Sequence, residues 1–441
     1  MKSSMFQYLF VAAFGVLGVA GLIYFATSDP EQDETLQGAA GSVTIWGTFP
    51  SSPALIEMMG QFNDKYKKSF TTNYVFHDPK TFDRDIVEAL ASGKGPDMLL
   101  LPDELILRHT DKIIPMAYSP QFGQREYQNM FLEASEVYLR PEGMLAFPFA
   151  VDPMVMYWNR DLFNNASVTV PPKYWDEFLL LTPKLTKKDK SFKFTQSAIA
   201  FGEYENVRNA KDVIAMLFLQ AGSKIVSMNE SRPLADVTGV SVGPNVAKVV
   251  ESALRFYMDF SNPQKSIYTW SRSRANSEEE FVDGNLAVYF DYASRYNELK
   301  ARNPHLNFDV AMVPQLRDAK TEIVMGKMYG LVTMKSSRNQ QTAFTATRLL
   351  LDQAIVDKFS KAFSLPPVRR DMLANRPQDA VQAVFYDSAI RVKTWLDPKP
   401  EDSDIVFQTL VESISSGKNT PTSALADAQR RLQTLVEPYA K

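Results

Sequence analysis

A serine set between spaced glycines, in the segment Gly239-Val-Ser-Val-Gly243, fits the sharp turn that presents a nucleophilic hydroxyl ahead of a helix. That chemistry needs an imidazole to take the Ser241 proton. Only His305 follows it in the chain, and no glycine-rich oxyanion segment precedes it. Loop glycines ahead of a helix cap explain the same residues without any reaction. Asp152 poses a different question. It stands alone inside the apolar run Phe147–Trp158, where an unpartnered carboxylate is costly, so it either meets a ligand or accepts a structural hydrogen bond.

Other chemistries fall away by residue type. The chain has no cysteine, which removes disulfides, thiolate metal sites, cysteine nucleophiles and a lipid anchor on cysteine. His77, His109 and His305 lack the four-residue spacing that sets two imidazoles on one zinc. There is no Walker loop and no dinucleotide fingerprint, so neither a cofactor nor a metal is expected. A net charge of -3 argues against a nucleic-acid partner, because neutralising phosphates takes clustered Lys and Arg. The basic run Lys184–Lys193 reads as a solvated loop. The two acids of a glycosidase can converge from anywhere in a chain, so a hydrolase stays an open alternative.

The elements that must position any site are those of an α/β protein. With 441 residues and 45% hydrophobic content the chain can build two lobes. A strand at Ser42–Trp46 precedes a helix that Ser52 caps and Pro53 opens, with Leu55, Met59, Phe62 and Tyr66 on one face. A strand at Thr71–Phe76, a helix marked by Phe82, Ile86 and Leu90, and an apolar strand at Asp97–Leu101 continue the alternation, which implies a mostly parallel sheet. Further on we expect a helix facing inward through Val246, Val249, Ala253 and Phe256, and a capping box of Ser277 with Glu280. Strands at Leu286–Phe290, Asn307–Pro314 and Tyr329–Met334 follow. A helix over Asn339–Gln353 and a C-terminal helix with Leu425, Ala428, Leu432 and Leu435 complete the pattern.

The segment Phe6–Phe25 carries no charge and, as a helix, would span about 30 Å, the thickness of a bilayer core. Lys2 precedes it and Asp29, Glu31, Asp33 and Glu34 follow, which places the rest of the chain outside. We read an uncleaved signal anchor, with a cleaved signal peptide as the alternative. The polar stretch behind it, to Gly41, reads as a tether.

Several segments, in order, resemble the extracellular solute-binding proteins of family 1, the sugar-type substrate receptors of ABC importers. They are VTIWGTF (Val43–Phe49), EALASGKGPDMLLL (Glu88–Leu101), FPFAVDPMVMYWNRDLF (Phe147–Phe163) and PPKYWDEF (Pro171–Phe178). EEEFVDGNLAVYFDY (Glu278–Tyr292), FDVAMVP (Phe308–Pro314), YGLVTMKSSRNQQTAFTATRLL (Tyr329–Leu350) and LPPVRRDM (Leu365–Met372) continue the match. Two departures stand out: the lipid-attachment cysteine common in the family is absent, and its usual Thr-Trp is Tyr174-Trp175. The resemblance implies a two-lobed α/β fold of the periplasmic-binding-protein type II class, with mostly parallel central sheets and a hinge. The chain would cross between lobes near Ala150, Met325 and Leu351. Residues 1–28 would be anchor or signal, 29–41 tether, 42–150 with 326–350 the first lobe, and 151–325 with 351–441 the second.

The implied function is that of a receptor that traps a small solute, expected to be a carbohydrate, and delivers it to an ABC permease. Its partners would be solute, permease subunits and the membrane. Sugar hydroxyls pair with carboxylates and amides, and sugar faces lie on aromatic rings. The resemblance therefore points to Trp46 and Phe49 after the first strand, Asp103 and Glu104 after Leu101, and Asp152 at the first crossing. It also points to Glu203 and Tyr204 in a second-lobe loop, Asp291 and Tyr292 at a strand end, and Tyr329 at the return crossing. Arg369 would reach the cleft or, more simply, brace it, and Trp158 and Trp175 would pack. The alternatives are a membrane-tethered glycosidase-like or other hydrolase and a scaffold that kept the fold without transport.

Overall fold

The computed structural model describes residues 36, 38–120, 122–229 and 232–440, so the apolar segment Phe6–Phe25 lies outside it. Among the described residues no helix is long and apolar enough to cross a membrane.

Strands β1 (Gly41–Gly47), β2 (Phe70–Phe76) and β3 (Met98–Pro102) pair in parallel with β1 in the middle. Helices α1 (Pro53–Tyr66) and α2 (Phe82–Ala91) join them. Ser52 caps α1 by accepting the Leu55 N–H at 3.2 Å, and the helix buries Leu55, Met58 and Phe62. The 3.6-residue turn brings Met58 inward, and leaves the expected Met59 only half-buried.

Two long strands carry the chain between lobes. Strand β4 (Phe147–Asn159) is buried at all thirteen positions, and β8 (Val324–Met334) runs antiparallel beside its first half. Between them in sequence lie β5 (Phe194–Ile199), β6 (Leu286–Tyr292) and β7 (Phe308–Ala311), which build outward from the second half of β4. The order of the long strands is β2-β1-β3-β8-β4-β6-β5, one continuous mixed sheet. The expected parallel pairing therefore holds only at the two outer ends. The centre is antiparallel, because β4 and β8 each run through both halves.

Pro148 sits inside this ladder although it has no N–H to give. A register shift between Tyr329 and Gly330 absorbs it, and glycine is required there: a Cβ on Gly330 would come 2.7 Å from that of Ala146.

The second lobe folds around Trp175, whose ring lies 5.7–6.0 Å from those of Phe290, Phe201, Phe256 and Phe178. Its Nε1 donates to Gln220 Oε1 at 2.6 Å, so the one polar atom of a buried indole is satisfied. Trp158 packs on Phe163 at 5.1 Å, as expected of a packing residue.

Two local expectations shift. The helix Pro244–Asp259 buries Val250, Leu254 and Tyr257 and leaves Val249 40% exposed, one position off the expected face. Its apolar arc covers a little more than half of the helix, wide enough for more than one three- and four-residue row, and the expected row lies at the edge of that arc. The helix Ser277–Val282 is capped by Asn276, which accepts the Glu278 N–H, while the Ser277 hydroxyl accepts the N–H of Arg208. Beyond Leu351, in helix Gln353–Phe363, Phe359 and Phe363 pack on Phe49, and Phe359 meets Phe149. Further along, in helix Ala380–Ala389, Phe385 meets Tyr296 at 6.2 Å.

Replacing the indole should open a large void. Trp175→Ala is expected to cost about 3–5 kcal/mol in urea unfolding. A loss below about 1 kcal/mol would contradict its central place in the second lobe.

Candidate functional site

Strand β3 ends at Pro102, and the chain turns at once through Asp103–Leu105, presenting two carboxylates beside β8. Asp103 is buried, and its Oδ1 accepts the Met328 N–H at 3.0 Å, tying the end of β3 to the hinge strand. Glu104 faces Lys327 of the same strand at 3.6 Å. From the second lobe comes the helix Ala210–Gln220, launched by Asn209, whose φ of 56° is the left-handed geometry that asparagine tolerates. Its first turn carries Lys211 and Asp212. Lys211 Nζ donates to Asp397 Oδ2 at 2.9 Å, and the Tyr292 hydroxyl at the end of β6 donates to Asp212 Oδ2 at 2.7 Å.

These groups converge on one small cavity, lined by Asp103, Glu104, Lys211, Asp212, Lys327 and Asp397, with Trp395 in its wall. Lys327 Nζ lies 5.1 Å from the Tyr292 ring centroid, a cation–π contact. Asp152 stands opposite Lys327 in the β4–β8 ladder, and its Oδ1 accepts the Ser294 N–H at 3.0 Å.

Burial, with Glu104 beside it, pushes the Asp103 carboxyl up to about 7. Burial likewise lifts Asp152 to about 6, against the pull of its bond from Ser294. Burial would raise Glu104 too, but Lys327 and then Lys211 outweigh it and hold that carboxyl below its usual range. Glu104 in turn raises Lys327. The outcome is a set of carboxylate acceptors, ammonium donors and aromatic faces, the groups that recognise a polyhydroxylated molecule. Among the described residues no cluster of His, Cys, Asp and Glu is placed to hold a metal ion.

Residues 57–384 match the family model described as bacterial extracellular solute-binding protein. The chain belongs to this family. A relative from Brucella abortus (strain 2308), described as a binding protein, is 20% identical over 327 residues, 71% of this chain and 73% of its own. Among solved structures, the cyclic alpha-maltosyl-1,6-maltose binding protein of Arthrobacter globiformis superposes with a TM-score of 0.74 at 13% identity, over 91% of this chain and 100% of the other. A solute-binding protein of Thermotoga lettingae TMO, bound with alpha-D-tagatose, gives 0.64 at 18% identity, over 90% and 100%. A cyclo/maltodextrin-binding protein complexed with maltotetraose gives 0.71 at 14%, over 91% and 98%. These likenesses establish the two-lobed type II fold of the solute-binding proteins.

Of the residues singled out from sequence, Asp103, Glu104, Asp152 and Tyr292 gather at the hinge cluster. Tyr329 stands on the same hinge strand, with its ring 4.7 Å from that of Phe49. Phe49 itself is buried among Tyr329, Phe359 and Phe363, and its backbone is held by the Tyr74 hydroxyl, so its side chain packs rather than faces a cleft. Trp46 is half-buried and stacks on His77 at 4.1 Å, apart from the cluster. Asp291 alternates to the opposite face of β6 from Tyr292. There it is buried, taking hydrogen bonds from Tyr289 and from Asn209 at 2.7 Å, with Arg208 at 3.2 Å, and so braces the turn that launches Lys211 and Asp212.

Tyr204 donates to Asp404 at 2.6 Å and Glu203 pairs with Arg272 at 3.1 Å, both on the second lobe. Arg369 pairs with Asp371 and donates to the Leu351 carbonyl at 3.0 Å, a bracing contact. Ser241 does not form a nucleophile site: its hydroxyl donates to Asp236 within a turn, and His305 lies exposed on another loop.

Sequence reasoning missed Lys211, Asp212, Lys327, Trp395 and Asp397. Lys327 carried a usable signal. It is the lone charge of an apolar strand, as Asp152 is of its own.

The raised carboxyls fix the sign of a pH effect. A carboxyl whose pKa is raised by folding holds its proton more tightly in the folded chain, so its contribution is present below the unfolded value near 4. That contribution is lost as pH climbs through about 6 for Asp152 and about 7 for Asp103. Asp103→Asn keeps an acceptor for the Met328 N–H and removes the ionisation. Urea midpoints between pH 4.5 and 7.5 should therefore fall less in this variant than in the parent; equal slopes would refute the assignment.

Proposed function

We propose that this extracellular solute-binding protein is the receptor of an ABC importer and that its solute is a sugar or oligosaccharide, closed upon by the two lobes. One observation carries the reading. Carboxylates from the end of β3, the charged first turn of helix Ala210–Gln220 and Tyr292 from the end of β6 meet at the two strands that join the lobes. Strand ends at a crossover are where open α/β sheets bind ligands, and hinge closure is how two lobes trap one. The solved relatives with tagatose, maltotetraose and a cyclic maltosyl-maltose in their descriptions support a carbohydrate. In this reading solute hydroxyls exchange with the contacts now made by Glu104, Lys327, Asp212 and Tyr292. The closed form then docks on a permease, and the receptor itself hydrolyses nothing.

A thermal-shift screen of mono- and oligosaccharides decides the solute. A sugar present at 100 times its Kd should add about 2.7 kcal/mol to stability, and Tyr292→Ala should remove most of that gain while leaving the fold intact. Silence across the sugars, with a response to peptides or polyamines, would replace the solute class. Shortened oligosaccharides in the incubation mixture would make the protein a hydrolase.

We also propose that Phe6–Phe25 anchors the protein to the membrane with the binding lobes outside. The full-length protein should stay in the membrane pellet after an alkaline carbonate wash. Release into the supernatant would mean that the segment is cleaved.

A further inference from the structure

A second crevice, of about 740 Å³, opens between the lobes and shares no residue with the hinge cavity. Its first-lobe wall is formed by Leu107–Ile113 with Arg140, Glu142 and Leu145; Met228 and Tyr439 stand on the opposite, second-lobe side. Arg140 is 8% exposed, and its Nη1 donates to the carbonyls of Val137 and Leu139, each at 2.8 Å. Its Nη2 has no partner, and among the described residues no carboxylate pairs with the guanidinium. Glu142 acts on it through space without forming a salt bridge, and a buried guanidinium that lacks a paired counter-charge is an expensive arrangement.

A second orphan lines the same space. His109 is fully buried with Nε2 on Asp83 at 2.7 Å, which leaves Nδ1 unpartnered. At the mouth, Lys112 pairs with Asp111, and Lys335 Nζ donates to the Asp111 carbonyl at 2.9 Å. Glu142 is the other carboxylate of the lining, so the cationic groups are in excess.

We propose that this crevice is a second ligand site, for a small oxyanion such as phosphate or a low-molecular-weight carboxylate, received by Arg140 and Lys112. The unpartnered Nη2 can donate to one oxygen of either group and the Lys112 ammonium to another. The crevice has walls from both lobes, so the anion binds the closed arrangement better than an open one. By linkage it then tightens retention of the solute.

The test is a thermal-unfolding titration of the full-length protein with sodium phosphate and with sodium citrate, against sodium chloride at matched ionic strength. A saturable rise in Tm with one or both oxyanions, absent with chloride, is expected, and the one that acts identifies the ligand class. Arg140→Met should abolish the response. Lys112→Gln, a change at the rim, should raise the half-saturating concentration about threefold, and it decides alone if the arginine variant does not fold. An equal response to chloride, or oxyanion titrations unchanged by these substitutions, overturns the proposal.

Discussion

The pairing of β4 with β8 is the constraint on which the rest of the molecule depends. Two strands that both run through two lobes must lie antiparallel, side by side, at the centre of the sheet, and every other strand takes its place outward from them. The same ladder sets Asp152 opposite Lys327 and brings the Asp103 turn against Met328. The hinge is therefore also the floor of the charged cavity. A charge placed there cannot retreat to water without moving a lobe, which is why the carboxyls along it are perturbed and the lysine is held between an acid and an aromatic ring.

The polar cluster works against the economy of the core. Burying these carboxyls and lysines is costly, and their mutual pairing offsets that cost without making them a dependable source of stability. What they supply is a set of hydrogen-bonding groups fixed by surrounding structure. Asp291 and Asn209 hold the turn ahead of Lys211, and Ser403 donates to Asp397 at 2.7 Å, so each group that faces the cavity has a neighbour behind it. The cost is spread over two lobes, and neither lobe alone would keep the arrangement.

Much of this was legible in the sequence. Strand and helix alternation placed β1, α1, α2 and β3, because each shows a single period and a capping or stopping residue. Asp152 stood out as one charge in an apolar run, and Asp103 with Glu104 as acids directly behind a strand. In the helix Pro244–Asp259 the expected row, Val246, Ala253 and Phe256, packs half-buried at the edge of an apolar arc whose centre, Val250, Leu254 and Tyr257, is the buried part. Phe49 looked like a ligand contact because it follows a strand end, and only the arrival of Phe359 and Phe363 from far along the chain shows that it packs. Lys211, Trp395 and Asp397 were invisible for the same reason: their meaning comes from residues distant in sequence, and no local spacing records it.

The placement of β8 beside β3 has a consequence for how the chain is made. Met98–Leu101 are buried apolar residues whose inner neighbour, Val324–Met334, is encoded more than half the chain length later. A polypeptide emerging from the ribosome N-terminus first therefore shows β3 as a bare, hydrophobic edge while the whole of β4 to β7 is still being translated. Such an edge invites pairing with another nascent chain. The order of synthesis, and any chaperone that shields the edge meanwhile, thus bears on the yield of folded protein as directly as the final packing does.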